Sequence, residues 1–164
     1  MAETIVETLP TCTRFVLRAA AEPAARLSGA FGVVLPPAML TATARGDRAA
    51  LRLGPDEILL LAEDGIAASL GQALDGESVS LVDISHRQVA LRITGPQAAD
   101  LLNEFCPLDL DPAAFPPGAC TRTLFGKAEI VLWRLAVDGF RLEVARSFAP
   151  YVRALLDEAA ADLA

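Results

Sequence analysis

Apolar residues recur along this chain with two periods. Val89, Leu91 and Ile93 alternate with Ala90, Arg92 and Thr94, the repeat of a strand with one buried face. Ala98, Leu101, Leu102 and Phe105 then fall at i, i+3, i+4 and i+7, the stripe of an amphipathic helix. The same reading predicts a strand from Phe15 to Ala19. It then predicts a helix that opens at Pro23, turns Ala24, Leu27 and Phe31 inward and stops at Gly32. Pro36-Pro37 forces a loop or an extended edge. Arg48 to Leu53 and Glu57 to Ala62 form a hairpin across Gly54-Pro55-Asp56. A helix from Ile66 to Leu74 follows, with Ile66, Leu70, Ala73 and Leu74 on one face, and Val79 to Ile84 is the next strand.

Strand, helix, strand, strand, helix, strand is the order of a ferredoxin-like, split βαββαβ module, with two helices on one face of an antiparallel sheet. Downstream, Cys106-Pro107 ends the third helix and Asp109 to Pro117 is a loop. Cys120 to Phe125 and Glu129 to Val137 are strands joined at Gly126-Lys127, with Trp133 in the core. Asp138-Gly139 turns Trp133–Val137 onto Phe140–Val144. Ser147 caps a last helix whose inner face is Phe148, Val152, Leu155, Leu156 and Ala159. The expectation is an α+β chain of two modules, residues 1–84 and 85–164, packed as one compact unit.

Composition narrows the function classes. At 53% apolar and 21% charged residues, the chain is more apolar than an ordinary soluble domain. Its apolar stretches are still well short of the ~20 residues of a membrane span. A large partner interface and a merely Ala- and Leu-rich composition explain this equally well. The net charge is −7 and the 14 basic residues are scattered singly, which argues against nucleic-acid partners. Cys12, Cys106 and Cys120 lack any C-x-x-C spacing and read as reduced thiols, neither a disulfide framework nor a zinc site. Met1 to Pro10 has no apolar run of a signal peptide, so a cytoplasmic location is expected.

Candidate chemistry concentrates in Asp83-Ile84-Ser85-His86-Arg87, a polar corner between two apolar runs that contains the chain's one histidine. A general base needs a reactive partner and an orienting carboxylate within hydrogen-bond reach. Asp83 and Ser85 are near in sequence, but neighbours along a strand point to opposite faces. A turn histidine that satisfies backbone groups or faces a partner is the favoured reading. Asp83, Ser85, His86 and Arg87 are accordingly taken as a polar interface cluster. One histidine and dispersed cysteines supply no metal set, and no G-x-x-x-x-G-K-[ST] or G-x-G-x-x-G phosphate cradle occurs. Cys106, with nothing basic spaced to activate it, reads as a helix-end packing residue. No catalytic, cofactor-binding or metal-binding residue is assigned.

Several segments resemble the gamma subunits of heterotetrameric sarcosine oxidases. They are Leu53-Gly54-Pro55-Asp56-Glu57, Val82 to Arg87, Leu91 to Leu102, Cys106-Pro107-Leu108-Asp109-Leu110, Phe115-Pro116-Pro117-Gly118, Arg122-Thr123 and Phe140 to Phe148. More widely, Asp83-Ile84-Ser85-His86 before a strand and a Gly-Pro-x-Ala helix resembles the glycine-cleavage T-protein superfamily. On this resemblance the second module is similar to the first domain of the T-protein and to the N-terminal domain of a tRNA-modification GTPase. The T-protein superfamily binds tetrahydrofolate, but through segments this chain lacks, so no folate-binding residue is carried over.

The resemblance implies a non-redox accessory subunit with a structural role. The complex would convert sarcosine, O2 and tetrahydrofolate to glycine, H2O2 and methylenetetrahydrofolate. It implies alpha, beta and delta subunits as partners, chiefly the large alpha subunit. FAD, FMN, NAD, tetrahydrofolate and zinc are expected in those subunits and none in this chain. Two other readings stay open: a free-standing folate-binding fragment, and a ferredoxin-like interaction module unrelated to sarcosine.

Overall fold

The computed structural model describes residues 4–62, 70, 72–74, 76 and 78–163. The chain divides into two units, a continuous one, Thr11–Ser85, and a two-segment one made of Met1–Pro10 and His86–Ala164. Each is an antiparallel sheet with helices, so the chain is α+β.

In the continuous unit the strands are β2 (Thr13–Arg18), β3 (Thr41–Arg45), β4 (Arg48–Arg52), β5 (Glu57–Ala62) and β6 (Ser80–Asp83). Helix α1 (Ala21–Phe31) follows β2. The sheet order is β3-β4-β5-β2-β6. Hydrophobic spacing places Ala24, Leu27 and Phe31 of α1 in one core with Phe15, Leu17, Ile58 and Leu60. Gly32, at φ 76°, closes the helix in the left-handed conformation, with its N–H bonded to the Ser28 carbonyl at 2.9 Å. The helix predicted over Ile66–Leu74 lies outside the described residues, apart from Leu70 and residues 72–74. Of these, Leu70 and Leu74 are buried in the same core.

The two-segment unit holds β1 (Ile5–Thr8), β7 (Gln88–Thr94), β8 (Cys120–Phe125), β9 (Ala128–Ala136) and β10 (Gly139–Ala145), in the order β1-β7-β10-β9-β8. Helices α2 (Ala98–Asn103) and α3 (Ala149–Asp162) complete it. Leu91, Ile93, Leu142 and Val144 from the sheet, Leu101 and Leu102 from α2, and Val152 and Leu156 from α3 share its core. Among the described residues of both units, no helix is long and apolar enough to cross a membrane.

Several expectations need correction. The first ten residues do not belong with the segment that follows them: β1 pairs antiparallel with β7, Val6 opposite Ile93, and the boundary falls after Ser85. Thr41–Arg45 was not expected as a strand; it pairs with β4 across the two-residue loop Gly46-Asp47. Asp138-Gly139 does not form the hairpin loop. Gly139 pairs with Ala136, so Val137-Asp138 is the loop, and the register slips by one residue between Gly139 and Phe140. Ser147 does not cap α3; Phe148 is the N-cap without a side-chain bond, Pro150 sits in the first turn, and Phe148 is exposed instead of buried. Trp133 and Leu155 are half-buried.

Candidate functional site

The polar corner is where the chain passes from one unit to the other. β6 ends at Asp83, Ser85–Arg87 form a single 3-10 turn, and β7 starts at Gln88. Asp83 caps this turn: its Oδ1 accepts from the Ser85 N–H at 2.8 Å and from the Ser85 hydroxyl at 2.5 Å. Ser85 Oγ also accepts from the Arg14 N–H at 2.9 Å, and the Ile84 N–H donates to the Arg14 carbonyl at 2.9 Å. The hydroxyl is thus engaged as donor and as acceptor, a structural arrangement and not that of an activated nucleophile.

His86 and Arg87 are exposed. Among the described residues the His86 ring makes no hydrogen bond or ion pair, so no carboxylate orients it as a base. Arg87 contributes its carbonyl, which accepts from the Arg146 N–H at 2.8 Å. Of the four predicted residues, the fold brings Asp83 and Ser85 together and leaves the side chains of His86 and Arg87 outward.

Arg14, whose backbone meets the corner, is itself 1% exposed and donates from its guanidinium to the Cys12 carbonyl at 3.0 Å. The other buried polar groups lie elsewhere, and the sequence pattern did not single them out. Arg134 of β9 is 2% exposed. Its guanidinium donates to the carbonyls of Leu110 at 2.7 Å, Phe115 at 2.9 Å, Ala136 at 3.1 Å and Val137 at 3.2 Å, and its carbon lies 4.8 Å from the Phe140 ring centre. One side chain therefore ties the 109–117 loop to the β9–β10 turn. The signal was present: Arg134 continues the inward alternation of Ile130 and Leu132. On β10, Arg141 and Glu143 stand two residues apart on one face and pair at 2.7 Å, with Glu143 only 3% exposed.

Cys106 and Cys120 are buried, and none of the three cysteines is in a disulfide. Burial raises the Cys106 thiol above its ordinary range and pushes Cys120 up to about 12, so both are inert packing groups at neutral pH. Among the described residues no group of three or more His, Cys, Asp or Glu side chains could hold a metal ion.

Comparison with solved structures first places the class. The glycine cleavage system aminomethyltransferase T from Bartonella henselae superposes with a TM-score of 0.73 at 17% identity, over 94% of this chain and 45% of that one. The chain therefore has the fold of part of a T protein. A chain of the heterotetrameric sarcosine oxidase from Corynebacterium sp. U-96, in complex with pyrrole 2-carboxylate, gives a TM-score of 0.91 at 30% identity. That match covers 97% of this chain and 84% of that one.

The model of the Sarcosine oxidase, gamma subunit family matches residues 18–162, and the chain belongs to that family. Among curated relatives, sarcosine oxidase subunit gamma from Arthrobacter sp. is 37% identical over 67% of this chain. That from Corynebacterium sp. (strain U-96) is 36% identical over 77%. The chain spans 56% of the length of the first relative and 63% of the second.

Proposed function

We propose that this chain is a non-redox accessory subunit of a heterotetrameric sarcosine oxidase, with a structural role in assembly. The observation that carries this reading is the match along nearly the whole chain, TM-score 0.91 over 97% of it, to a chain of an enzyme of that name. The partners are the other three kinds of subunit, chiefly the large alpha subunit. FAD, FMN, NAD, tetrahydrofolate and zinc belong to them, and the complex works in the cytoplasm. The continuous unit is read as a ferredoxin-like split βαββαβ module, supported by the order β4-β5-β2-β6, to which β3 adds an extra edge. At the corner, Asp83 and Ser85 fix the turn so that exposed His86 and Arg87 meet a neighbouring subunit.

Co-expression of this chain, affinity-tagged, with the other three subunits tests the reading. The expected result is recovery of all four subunits with sarcosine-dependent peroxide formation, while the chain purified alone is colourless and inactive. Failure to recover the other subunits, or peroxide formation by the isolated chain, overturns it.

A further inference from the structure

The continuous unit carries a surface that the polar corner does not use. Residues 23–55 include Arg26, Arg45, Arg48 and Arg52 and the single acid Asp47; the rest of the chain holds ten basic and twenty acidic residues. A basic stretch is thus set in a chain of net charge −7. Beside β3 lies an open groove of about 520 Å³, lined by Ser28, Gly29, Val33, Val34, Ala44 and Arg45 among others. Arg45 is exposed and, among the described residues, its side chain makes no hydrogen bond or ion pair.

The loop at the groove is held in place and yet presents apolar groups to water. Val34, Met39 and Leu40 are 70%, 54% and 45% exposed. Four hydrogen bonds pin this loop. Thr43 Oγ1 donates to the Val34 carbonyl at 2.5 Å and Arg52 Nε to that of Pro36 at 2.5 Å. Thr41 Oγ1 donates to Ala38 at 2.7 Å and the Leu40 N–H to Arg52 at 2.8 Å. Leu40 takes a φ of 59°, the left-handed region that a branched side chain disfavours. Holding the backbone beneath exposed apolar side chains lowers the loop entropy that a partner must remove on binding.

Two features give the occupant its shape. β3 is an edge strand: it pairs with β4, and no described strand lies on its other side. An edge with no described strand beside it has room for one more. Gly29 sits exposed inside α1 with no described atom within 4 Å of a Cβ placed there, so no packing among the described residues calls for the residue that most weakens a helix after proline. A bare backbone at the groove suits the close approach of another main chain.

We propose that this surface takes an extended, acidic segment of another oxidase subunit, added as a strand along β3. A carboxylate of that segment meets Arg45, and an apolar residue meets Val34, Met39 and Leu40. Exposed Arg45 at the groove sets the sign of the partner, and the edge strand sets its conformation. The inference rests on the accessory-subunit reading above.

The test is four-subunit reconstitution with the unaltered chain, Arg45→Glu and Gly29→Gln, comparing yield of complex and the melting temperature of each isolated chain. Gln is a good helix former and enters space that no described atom fills, so Gly29→Gln is expected to melt no lower than the unaltered chain. Both variants are expected to lower the yield of complex about tenfold or more at subunit concentrations near the Kd. Raising salt should weaken assembly of the unaltered chain more than that of Arg45→Glu. Unaltered yield for both correctly folded variants overturns this inference while leaving the parent reading intact. Loss of self-association by the isolated chain, with assembly unchanged, makes a second copy the occupant and equally overturns it. If the unaltered chain does not assemble at all, the parent reading fails and this inference fails with it.

Discussion

Arg134 shows how one side chain can hold several segments that share no secondary structure. Its charge is buried without a carboxylate and is satisfied by main-chain carbonyls from the 109–117 loop and from the β9–β10 turn. Arg134→Met keeps the length and leaves those carbonyls without their donor, at a cost on the order of 3 kcal/mol. In hydrogen exchange the 109–117 loop should open first; unchanged protection there would show that the loop holds itself. Cys120 gives a pH dependence. Its folded value is raised to about 12 from 9.0, so the folded state keeps a proton that the unfolded state gives up. The associated stability is complete below pH 9.0 and is lost as pH rises toward about 12. Cys120→Ala should flatten that alkaline fall, which approaches about 1.4 kcal/mol per pH unit where only the unfolded thiol ionises, measured by urea melts.

Among elements, the short helix α2 and the β8–β9 turn carry the sharpest tests. Leu102 is fully buried, and Leu102→Ala should cost about 2–5 kcal/mol through lost transfer energy and a cavity. Gly126 turns the β8–β9 hairpin at φ 57° beneath α3, where an added Cβ would stand 2.5 Å from Tyr151 Oη and 2.7 Å from Leu155 Cδ1. Gly126→Ala strains the backbone and drives away the Tyr151 hydroxyl that accepts from the Lys127 N–H at 3.2 Å, so a loss of about 1–3 kcal/mol is expected. Undiminished stability in either variant would mean these side chains are free to rearrange. α1, α2 and the β4–β5 hairpin were legible in the sequence because long apolar side chains mark their inward faces. β1 and β3 were not. Ile5-Val6 is too short to show a period, and Thr-Ala-Thr-Ala-Arg alternates small residues that hardly differ in polarity. At the corner the polar run was visible, but its hydrogen bonds depend on Arg14, 71 residues distant from Ser85, which no local pattern reports. For Arg134 the inward alternation was legible but the role was not: its acceptors are carbonyls, and carbonyls leave no mark in side-chain spacing.

For the molecule as a whole, His86 separates a catalytic corner from an assembling one. Its exposed ring, without an orienting partner among the described residues, leads to the expectation that His86→Asn keeps turnover per assembled complex, and that any deficit follows the yield of complex. Turnover falling about a hundredfold with the yield unchanged would make His86 catalytic. The same measurement on the four-subunit enzyme serves the proposed function, since it reads assembly and activity separately.

The pairing of β1 with β7 also sets an order in time. β1 leaves the ribosome before any of Thr11–Ser85, yet its hydrogen-bonding partner is made only after that whole segment. At roughly 5–20 residues per second, the nascent strand waits several seconds with its edge unpaired. By the end of that interval the continuous unit has all its described strands, so it is able to close before β1 finds β7. The opening residues must then come back to a sheet completed by the last third of the chain, so a translational pause after Ser85 lengthens their exposure, and one before Thr11 does not.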